Sequence, residues 1–383
     1  MANISITRRC RRHCSYCFAK HELSRKLATD MPPEIYEAAL GFLQRSGFPE
    51  ARLLGGEPTE HPRFCEYLTR ALDRGFRVVV FSGGLVPEPV LEHMAALPVD
   101  NLSVVLNAAD PVEDPEALVK RQREVCRALG AKVMLGVNIR SSNQNPAYVL
   151  DWVTEYDLYR MVRVGIAHPI WGGTNDFFRF RGPRVISVFE RLVTIGADIG
   201  VNVCFDCGFT PCMFSQEFVD AHADMFVDSL TGPGAPAAQS GFTNRCTGTS
   251  DDAYDAAALE ADNSGSSVDQ GQNVPATRIK AIGVRCNPVV DILPEGDCIA
   301  CYALSRFRRF PLPPEGSRDD LVSLFDGELS PVLPAGVYRE CVQCSYREKG
   351  ICGGGCRARR ALRLRPSALI PLDPEPMDEA THT

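Results

Sequence analysis

The sequence lacks long hydrophobic runs and any excess of basic residues. No apolar stretch in its 383 residues approaches the roughly 20 needed to span a membrane, so we expect no membrane association. The amino terminus, MANISITRRC, lacks the apolar core of a secretory signal peptide, which predicts a cytoplasmic protein. The formal net charge is −7, and nucleic-acid binding is not expected because it requires a basic surface.

Cysteine, in contrast, is abundant and unevenly distributed. The chain contains 16 cysteines, and most of them fall into four groups, within residues 10–17, 204–212, 286–301 and 341–356. Because cytosolic thiols stay reduced, disulfides are not expected. Clustered cysteines in such a protein indicate metal or iron–sulfur ligation.

The first 200 residues alternate between strand-like and helix-like patterns. Strands are predicted at residues 3–7, 51–54, 76–81, 102–106, 132–139 and 161–167. Helices are predicted at residues 32–44, 63–74, 88–97, 114–129, 147–155 and 183–195. Six βα units in succession predict an α/β fold, a partial (β/α)₆ TIM-like barrel with helices outside a parallel sheet. Chemistry in such a barrel lies at the carboxyl ends of the strands.

Composition divides the chain into three parts. Residues 1–203 form the predicted barrel, and residues 204–358 form a small cysteine-rich domain. An insertion at about 228–278 is rich in Gly, Ser, Ala and Asp, so we expect it to be mobile. Residues 359–383 form a tail that is first basic and then rich in proline.

The first cysteine group has the spacing C-x₃-C-x₂-C and directly follows the first predicted strand, with ligands Cys10, Cys14 and Cys17. Three thiolates can hold three irons of a [4Fe–4S] cube and leave the fourth iron open to another ligand. An open position is typical of a catalytic metal rather than a structural one. A zinc site with His13 as fourth ligand, or chance spacing, is the alternative.

A Gly-Gly-Glu-Pro sequence follows the second predicted strand, at Gly55, Gly56, Glu57 and Pro58. Alone, these four residues predict only a turn. Glycines allow a close approach of the backbone to a ligand, and a carboxylate suits an ammonium group. Their position one strand after the cysteine group makes them a candidate binding motif.

The motif CRRHCSYC, with Tyr16 before its third cysteine, resembles the signature of the radical SAM superfamily, as does Gly-Gly-Glu-Pro. The resemblance implies that S-adenosylmethionine (SAM) binds the open iron and is reductively cleaved to a 5′-deoxyadenosyl radical, which abstracts a substrate hydrogen. It also implies that residues 55–58 bind the SAM amino group. Polar residues at later strand ends, Ser82, Asn107 and Asn138, are further candidates for SAM binding, although each could equally form an ordinary turn or cap a loop.

The later cysteines resemble the SPASM extension, which binds auxiliary [4Fe–4S] clusters. A C-x₉-G-x₄-C pattern lies at Cys286 and Cys301, and a C-x₂-C-x₇-C-x₃-C pattern follows it, at Cys341, Cys344, Cys352 and Cys356. The SPASM pattern has x₅ in place of x₇ and a further cysteine. A simple assignment places the last four on one cluster and four earlier cysteines on the other, namely Cys207, Cys212, Cys286 and Cys301. A crossed arrangement and zinc sites stay open as alternatives.

The resemblance implies an enzyme that modifies a peptide or protein side chain with the help of auxiliary clusters. Its electron donor would be a protein such as flavodoxin or ferredoxin. Little chain precedes Cys10, so we expect no amino-terminal leader-binding domain. The alternatives are a radical SAM oxidoreductase that acts on a small molecule and a non-catalytic zinc or iron–sulfur binding module.

Overall fold

A computed structural model arranges the chain around a single mixed sheet. The structure describes residues 2–25, 27, 29–140, 144–167, 183–205, 209–222, 286, 289–305, 307–333, 335–348 and 352–361. Within these ranges the sheet has ten strands: β1 Asn3–Thr7, β2 Glu50–Gly55, β3 Arg77–Ser82, β4 Leu102–Asn107, β5 Val133–Ile139, β6 Met161–Ile166, β7 Asn202–Phe205, β8 Asp291–Ile292, β9 Asp297–Ile299 and β10 Arg309–Pro311.

The helices alternate with the strands along the first half of the chain. The described helices are α1 Lys20–Leu23, α2 Pro33–Arg45, α3 Phe64–Asp73, α4 Glu88–Ala96, α5 Glu116–Leu129, α6 Tyr148–Glu155, α7 Pro183–Asp198, α8 Gln216–Ala221, α9 Arg318–Leu329, α10 Ser345–Glu348 and α11 Arg357–Ala361. Short 3₁₀ helices include Pro58–Glu60 and Pro211–Met213. No helix in the described part of the chain is both long and apolar enough to cross a bilayer.

The strands follow the order β10-β9-β8-β1-β2-β3-β4-β5-β6-β7, and β1 to β7 are parallel. The predicted strands and helices of the six βα units are all present, so the fold-class prediction is confirmed. Parallel pairing brings the carboxyl ends of these strands to one edge of the sheet. The candidate site lies at that edge.

Burial explains why these strands have continuous apolar sequences. Val78 and Val80 of β3 pack into the main core, where α2 contributes Tyr36, Leu40 and other apolar side chains. Val79 lies in a smaller cluster with Val105 and Met134, apart from that core. Because successive residues of a strand point to opposite faces, β3 is buried on both faces.

The sheet is wider than the six predicted strands. β7 spans the predicted boundary between residues 203 and 204, so the division into domains stays a prediction. β8 pairs in parallel with β1 through Asn3–Asp291 and Ile4–Ile292. β9 then pairs antiparallel with β8, and β10 pairs antiparallel with β9. Two residues are too few to show periodicity, which is why β8 was not predicted. The insertion at about 228–278 lies outside the described residues.

Candidate SAM and cluster site

The three cysteines of the first group lie in the loop that joins β1 to α1. Each thiol is partly buried, and the Cys17 amide donates to the Cys14 carbonyl at 3.1 Å. The pKa of Cys17 is raised to about 11, mainly by burial and to a smaller extent by the charges of Cys14 and Cys10. Burial likewise raises the pKa of Cys10, with a contribution from Cys14. The three thiols therefore lie within electrostatic range of one another.

The Gly-Gly-Glu-Pro turn packs directly against this loop. The Gly56 amide donates to the Thr7 carbonyl at 2.8 Å, and the Glu57 amide donates to the Arg9 carbonyl at 2.6 Å. A Cβ atom at Gly55, whose φ is +146°, would lie 2.2 Å from the Thr7 oxygen. One at Gly56 would lie 2.1 Å from the Arg9 oxygen. Only glycine fits at either position, so the two sequence motifs form one structural unit.

The Glu57 carboxylate connects the ends of β2 and β3. It is 2% exposed, and it accepts hydrogen bonds from Thr59 Oγ1 at 2.6 Å, Ser82 Oγ at 3.0 Å and the Gly83 amide at 2.7 Å. Burial raises its pKa, and these hydrogen bonds partly oppose that rise. Pro58 is buried at the start of the following 3₁₀ turn. The contact of Glu57 with the SAM amino group stays a prediction.

Arg12, between the first two cysteines, was not singled out from the sequence. Its guanidinium donates to the Asn107 carbonyl at 2.6 Å, to the Gly83 carbonyl at 3.3 Å and to the Tyr16 hydroxyl at 3.3 Å. Its side chain is 5% exposed, whereas that of the adjacent Arg11 is 67% exposed. Arg12 therefore ties the cysteine loop to the ends of β3 and β4. Nothing in the local sequence distinguishes the two arginines.

The strand-end asparagines and Tyr16 form a hydrogen-bonded chain. Asn107 Nδ2 donates to the Tyr16 hydroxyl at 3.2 Å, and Asn138 Nδ2 donates to Asn107 Oδ1 at 3.0 Å. The Arg140 guanidinium lies 5.0 Å from the centre of the Tyr16 ring. Gln122, fully buried on α5, donates to the Asn107 carbonyl at 2.9 Å. The structure thus brings Tyr16, Asn107 and Asn138 together.

The later cysteines form two groups, and the first includes Cys286, Cys301 and Cys356. A hydrogen bond from the Cys356 thiol lowers the pKa of Cys286, and the nearby Arg357 guanidinium lowers it further. Burial raises the pKa of Cys301, and the charge of Cys286 adds to this effect. Cys356 is therefore associated with Cys286 and Cys301.

The second group contains Cys212, Cys341 and Cys352. Burial raises the pKa of Cys352, and the charges of Cys212 and Cys341 raise it further. These contacts place Cys356 beside Cys286 and Cys212 near Cys352, as in the crossed alternative, and the assignment of ligands to clusters stays a prediction. Gly354 and Gly355, with φ of +87° and +82°, turn the chain between Cys352 and Cys356. This turn lets neighbours in sequence join different groups.

Two further cysteines are less constrained by the structure. Cys344 is partly buried, and its carbonyl accepts hydrogen bonds from the Arg347 and Glu348 amides, both at 3.0 Å. Cys207 lies outside the described residues. Among the residues that are described, no three His, Cys, Asp or Glu side chains converge as the ligands of a single ion would. Each thiolate of an iron–sulfur cube binds a different iron, so a cube requires wider spacing.

Comparison with known proteins agrees with this geometry. Residues 4–134 match the family model described as the radical SAM superfamily. The chain is 31% identical over 102 residues to a tungsten-containing aldehyde ferredoxin oxidoreductase cofactor-modifying protein of Pyrococcus furiosus, covering 25% of this chain and 28% of that one. It is 32% identical over 91 residues to an S-adenosylmethionine-dependent nucleotide dehydratase of Selenomonas ruminantium, covering 23% and 32%. The chain thus spans about a third of the length of these curated relatives.

Solved structures match over much more of the chain. Streptococcus suis SuiB bound to S-adenosylmethionine matches with a TM-score of 0.56 at 14% identity, over 93% of this chain and 72% of its own. The structure described as native anSMEcpe with bound AdoMet matches with a TM-score of 0.56 at 16% identity, over 93% and 89%. At such identities the likeness establishes the fold.

Taken with the site, these matches support a radical SAM enzyme: residues 4–134 match that superfamily's model, and the fold over most of the chain is that of SuiB and anSMEcpe. The identification made from the cysteine spacing and the Gly-Gly-Glu-Pro turn is confirmed. The expectation of an enzyme, as opposed to a non-catalytic binding module, is also confirmed.

Proposed function

We propose that this enzyme cleaves SAM reductively and uses the resulting 5′-deoxyadenosyl radical to abstract hydrogen from a peptide or protein side chain. The observation that carries the proposal is the hydrogen-bonded unit of the Cys10–Cys17 loop and the Gly55–Pro58 turn. It lies at the carboxyl edge of a parallel sheet, where barrels of this type position their chemistry.

The residues present fit a [4Fe–4S] cluster with one open iron. Three partly buried thiols lie in one loop, and Cys14 contributes to the raised pKa of both Cys10 and Cys17, which suits ligation by Cys10, Cys14 and Cys17. When bound, the cluster supplies the electron that breaks the carbon–sulfur bond of SAM. The surrounding residues position the ligands. Gly56 has no side chain, which lets the cysteine loop pack against the end of β2. Arg12 holds the same loop to the ends of β3 and β4.

The polar chain at the strand ends is proposed to bind SAM. Tyr16, Asn107 and Asn138 offer hydroxyl and amide groups at one edge of the sheet, a few ångströms apart. Ser82 is hydrogen bonded to Glu57 and to the Gly84 amide, so we propose that it orders this edge beside the bound SAM. Glu57 and Pro58 hold the turn whose backbone is proposed to meet the SAM amino group.

A peptide substrate is supported by the breadth of the structural match. The fold also resembles SuiB bound to its precursor peptide SuiA, with a TM-score of 0.57 over 93% of this chain. We further propose that one or two auxiliary [4Fe–4S] clusters assist by accepting the electron released when a substrate radical is oxidised. A flavodoxin or ferredoxin is the proposed electron donor.

A small-molecule substrate is the second candidate. It is favoured by the two curated relatives, since one modifies a cofactor and the other dehydrates a nucleotide. Incubation with the product of any short peptide gene beside this one, followed by mass spectrometry, separates the candidates. A mass change in that peptide that requires SAM supports the first. An unchanged peptide, with turnover of a nucleotide or cofactor precursor, supports the second.

The radical chemistry itself is tested by anaerobic reconstitution with iron and sulfide, followed by assay of 5′-deoxyadenosine under dithionite. Three clusters correspond to about twelve irons per chain. Cys14→Ala should abolish 5′-deoxyadenosine formation, whereas Cys65→Ala, on the outer helix α3, should leave it unchanged. Product formation retained by Cys14→Ala would contradict the proposal.

A further inference from the structure

We propose that Cys212 is the fourth ligand of an auxiliary [4Fe–4S] cluster whose other ligands are Cys341, Cys344 and Cys352. The barrel and the carboxyl-terminal cysteine segment would then share one cluster. This inference rests on the proposed auxiliary-cluster function. It differs from the linear assignment, in which Cys341, Cys344, Cys352 and Cys356 serve a single cluster.

The turn that carries Cys212 packs against the turn between Cys352 and Cys356. Cys212 lies in the 3₁₀ turn Pro211–Met213, which follows β7 after five residues of chain. A Cβ atom at Gly355 would lie 3.1 Å from Thr210 Cγ2, so the two turns are in contact there. Thr210 Oγ1 lies 3.3 Å from Cys212 Sγ, which fixes the thiol beside this contact.

Cys341 is held next to the same turn. A Cβ atom at Gly336 would lie 2.4 Å from Cys341 Sγ and one at Gly354 would lie 2.9 Å from Gly336 Cα. The Val337 amide donates to the Gly354 carbonyl at 2.9 Å. These contacts bring residues 336–341 alongside residues 352–355.

The number of available thiols points to the same ligand set. Cys356 is hydrogen bonded to Cys286 and belongs with the other cysteine group. With Cys356 in that group, the last cysteine pattern supplies only Cys341, Cys344 and Cys352. This is one thiolate fewer than the four that hold a [4Fe–4S] cluster. Cys212 is in the second group and is exposed, so a metal can reach it without rearrangement of the core.

The test measures auxiliary clusters separately from the SAM cluster. A full-length variant with Cys10→Ala, Cys14→Ala and Cys17→Ala should bind about eight irons after anaerobic reconstitution. Adding Cys212→Ser should lower this to about seven if a [3Fe–4S] cluster remains, visible by electron paramagnetic resonance, or to about four if the cluster is lost. Adding Cys65→Ser in place of Cys212→Ser should leave the iron content and the spectrum unchanged. Iron content and spectra unchanged by Cys212→Ser would overturn the proposal.

Alkylation of the unmutated protein gives a second readout that does not depend on folding of a variant. Because only accessible thiolates react, iron ligation should slow iodoacetamide labelling of Cys212 at least about tenfold relative to the metal-free protein. Labelling of Cys65 should not respond to metal. Equal labelling of Cys212 in both forms, a Cys212–Cys352 disulfide, or zinc in place of iron at this site would each overturn the proposal. Failure of the proposed function is distinguishable, because it would appear as absence of 5′-deoxyadenosine from the unmutated enzyme.

Discussion

The amide nitrogen of Glu57 donates a hydrogen bond to the carbonyl oxygen of Arg9 at 2.6 Å, immediately before the first cluster cysteine. With the bond from the Gly56 amide to Thr7, it clamps the start of the cysteine loop to the turn after β2. The position of the Cys10 ligand therefore depends on a turn more than 40 residues away in sequence.

Gly56→Ala should disrupt that clamp. The added methyl would lie 2.1 Å from the Arg9 oxygen and 2.9 Å from Cys10 Cβ. The Arg9 backbone would have to move to relieve this overlap. We expect loss of the SAM cluster, about four irons per chain, and a fall in 5′-deoxyadenosine formation of about 100-fold. Gly327→Ala is the control, because nothing lies within 4 Å of its added methyl on α9, and it should add about 0.5–1 kcal/mol of stability. Full iron content in Gly56→Ala would contradict this account.

The two arginines of the cysteine loop should behave differently. Arg12→Met removes charge-assisted hydrogen bonds to two backbone carbonyls in a nearly buried position, so we expect a loss of about 2–4 kcal/mol in unfolding free energy. Arg11→Met removes an exposed pair with Glu60 and a long hydrogen bond to the Leu85 carbonyl at 3.5 Å, together worth less than about 1 kcal/mol. Thermal unfolding of the reconstituted variants measures both changes. Equal losses would mean that Arg12 does not anchor the loop.

Glu57→Gln tests the carboxylate that joins β2 to β3. One oxygen accepts from the Thr59 amide and the other from the Gly83 amide, at 3.4 and 2.7 Å. Whichever way a glutamine is placed, its NH₂ group faces a backbone N–H, and we expect a loss of about 1–3 kcal/mol. Glu60→Gln, three residues later, should cost less than about 1 kcal/mol because it affects only the exposed Arg11 pair. Unfolding midpoints that fall equally in both variants would refute the role given to Glu57.

Much of this site could be predicted because it depends on local sequence. The spacing of Cys10, Cys14 and Cys17 can be read directly from the sequence. Gly55 and Gly56 are required because the backbone approaches so closely there that no other residue fits. The central strands were predictable because burial on both faces demands continuous apolar runs such as the VVVF of β3.

The remaining features depend on contacts between distant segments. Arg12 differs from Arg11 in the groups that its guanidinium contacts, which are the Tyr16 hydroxyl and two carbonyls at the ends of β3 and β4. Cys356 joins Cys286 because two glycines turn the chain, and spacing along the sequence gives no indication of it. Strand β8 forms because β1 offers an open edge for pairing, a condition set by the order of strands in the sheet.

The pairing of β8 with β1 should also make stability depend on pH through Asp291. This carboxyl group is 3% exposed and accepts a hydrogen bond from Asn3 Nδ2 at 2.7 Å. Burial raises its pKa to about 7, from an unfolded value of about 3.9. A raised carboxyl pKa favours the protonated folded state, so its stabilising contribution is complete below about pH 4 and is lost as pH rises to about 7.

Asp291→Asn isolates this contribution because asparagine does not titrate and can still accept from Asn3. The stability of the unmutated protein relative to the variant should fall by at most about 1.4 kcal/mol per pH unit between about pH 5 and 7, and level off above. Thermal unfolding midpoints of the two reconstituted proteins, taken at matched scan rates across that range, measure the difference. If the two midpoints keep a constant separation, Asp291 titrates alike in the folded and unfolded chains, and burial beside Asn3 does not control its charge.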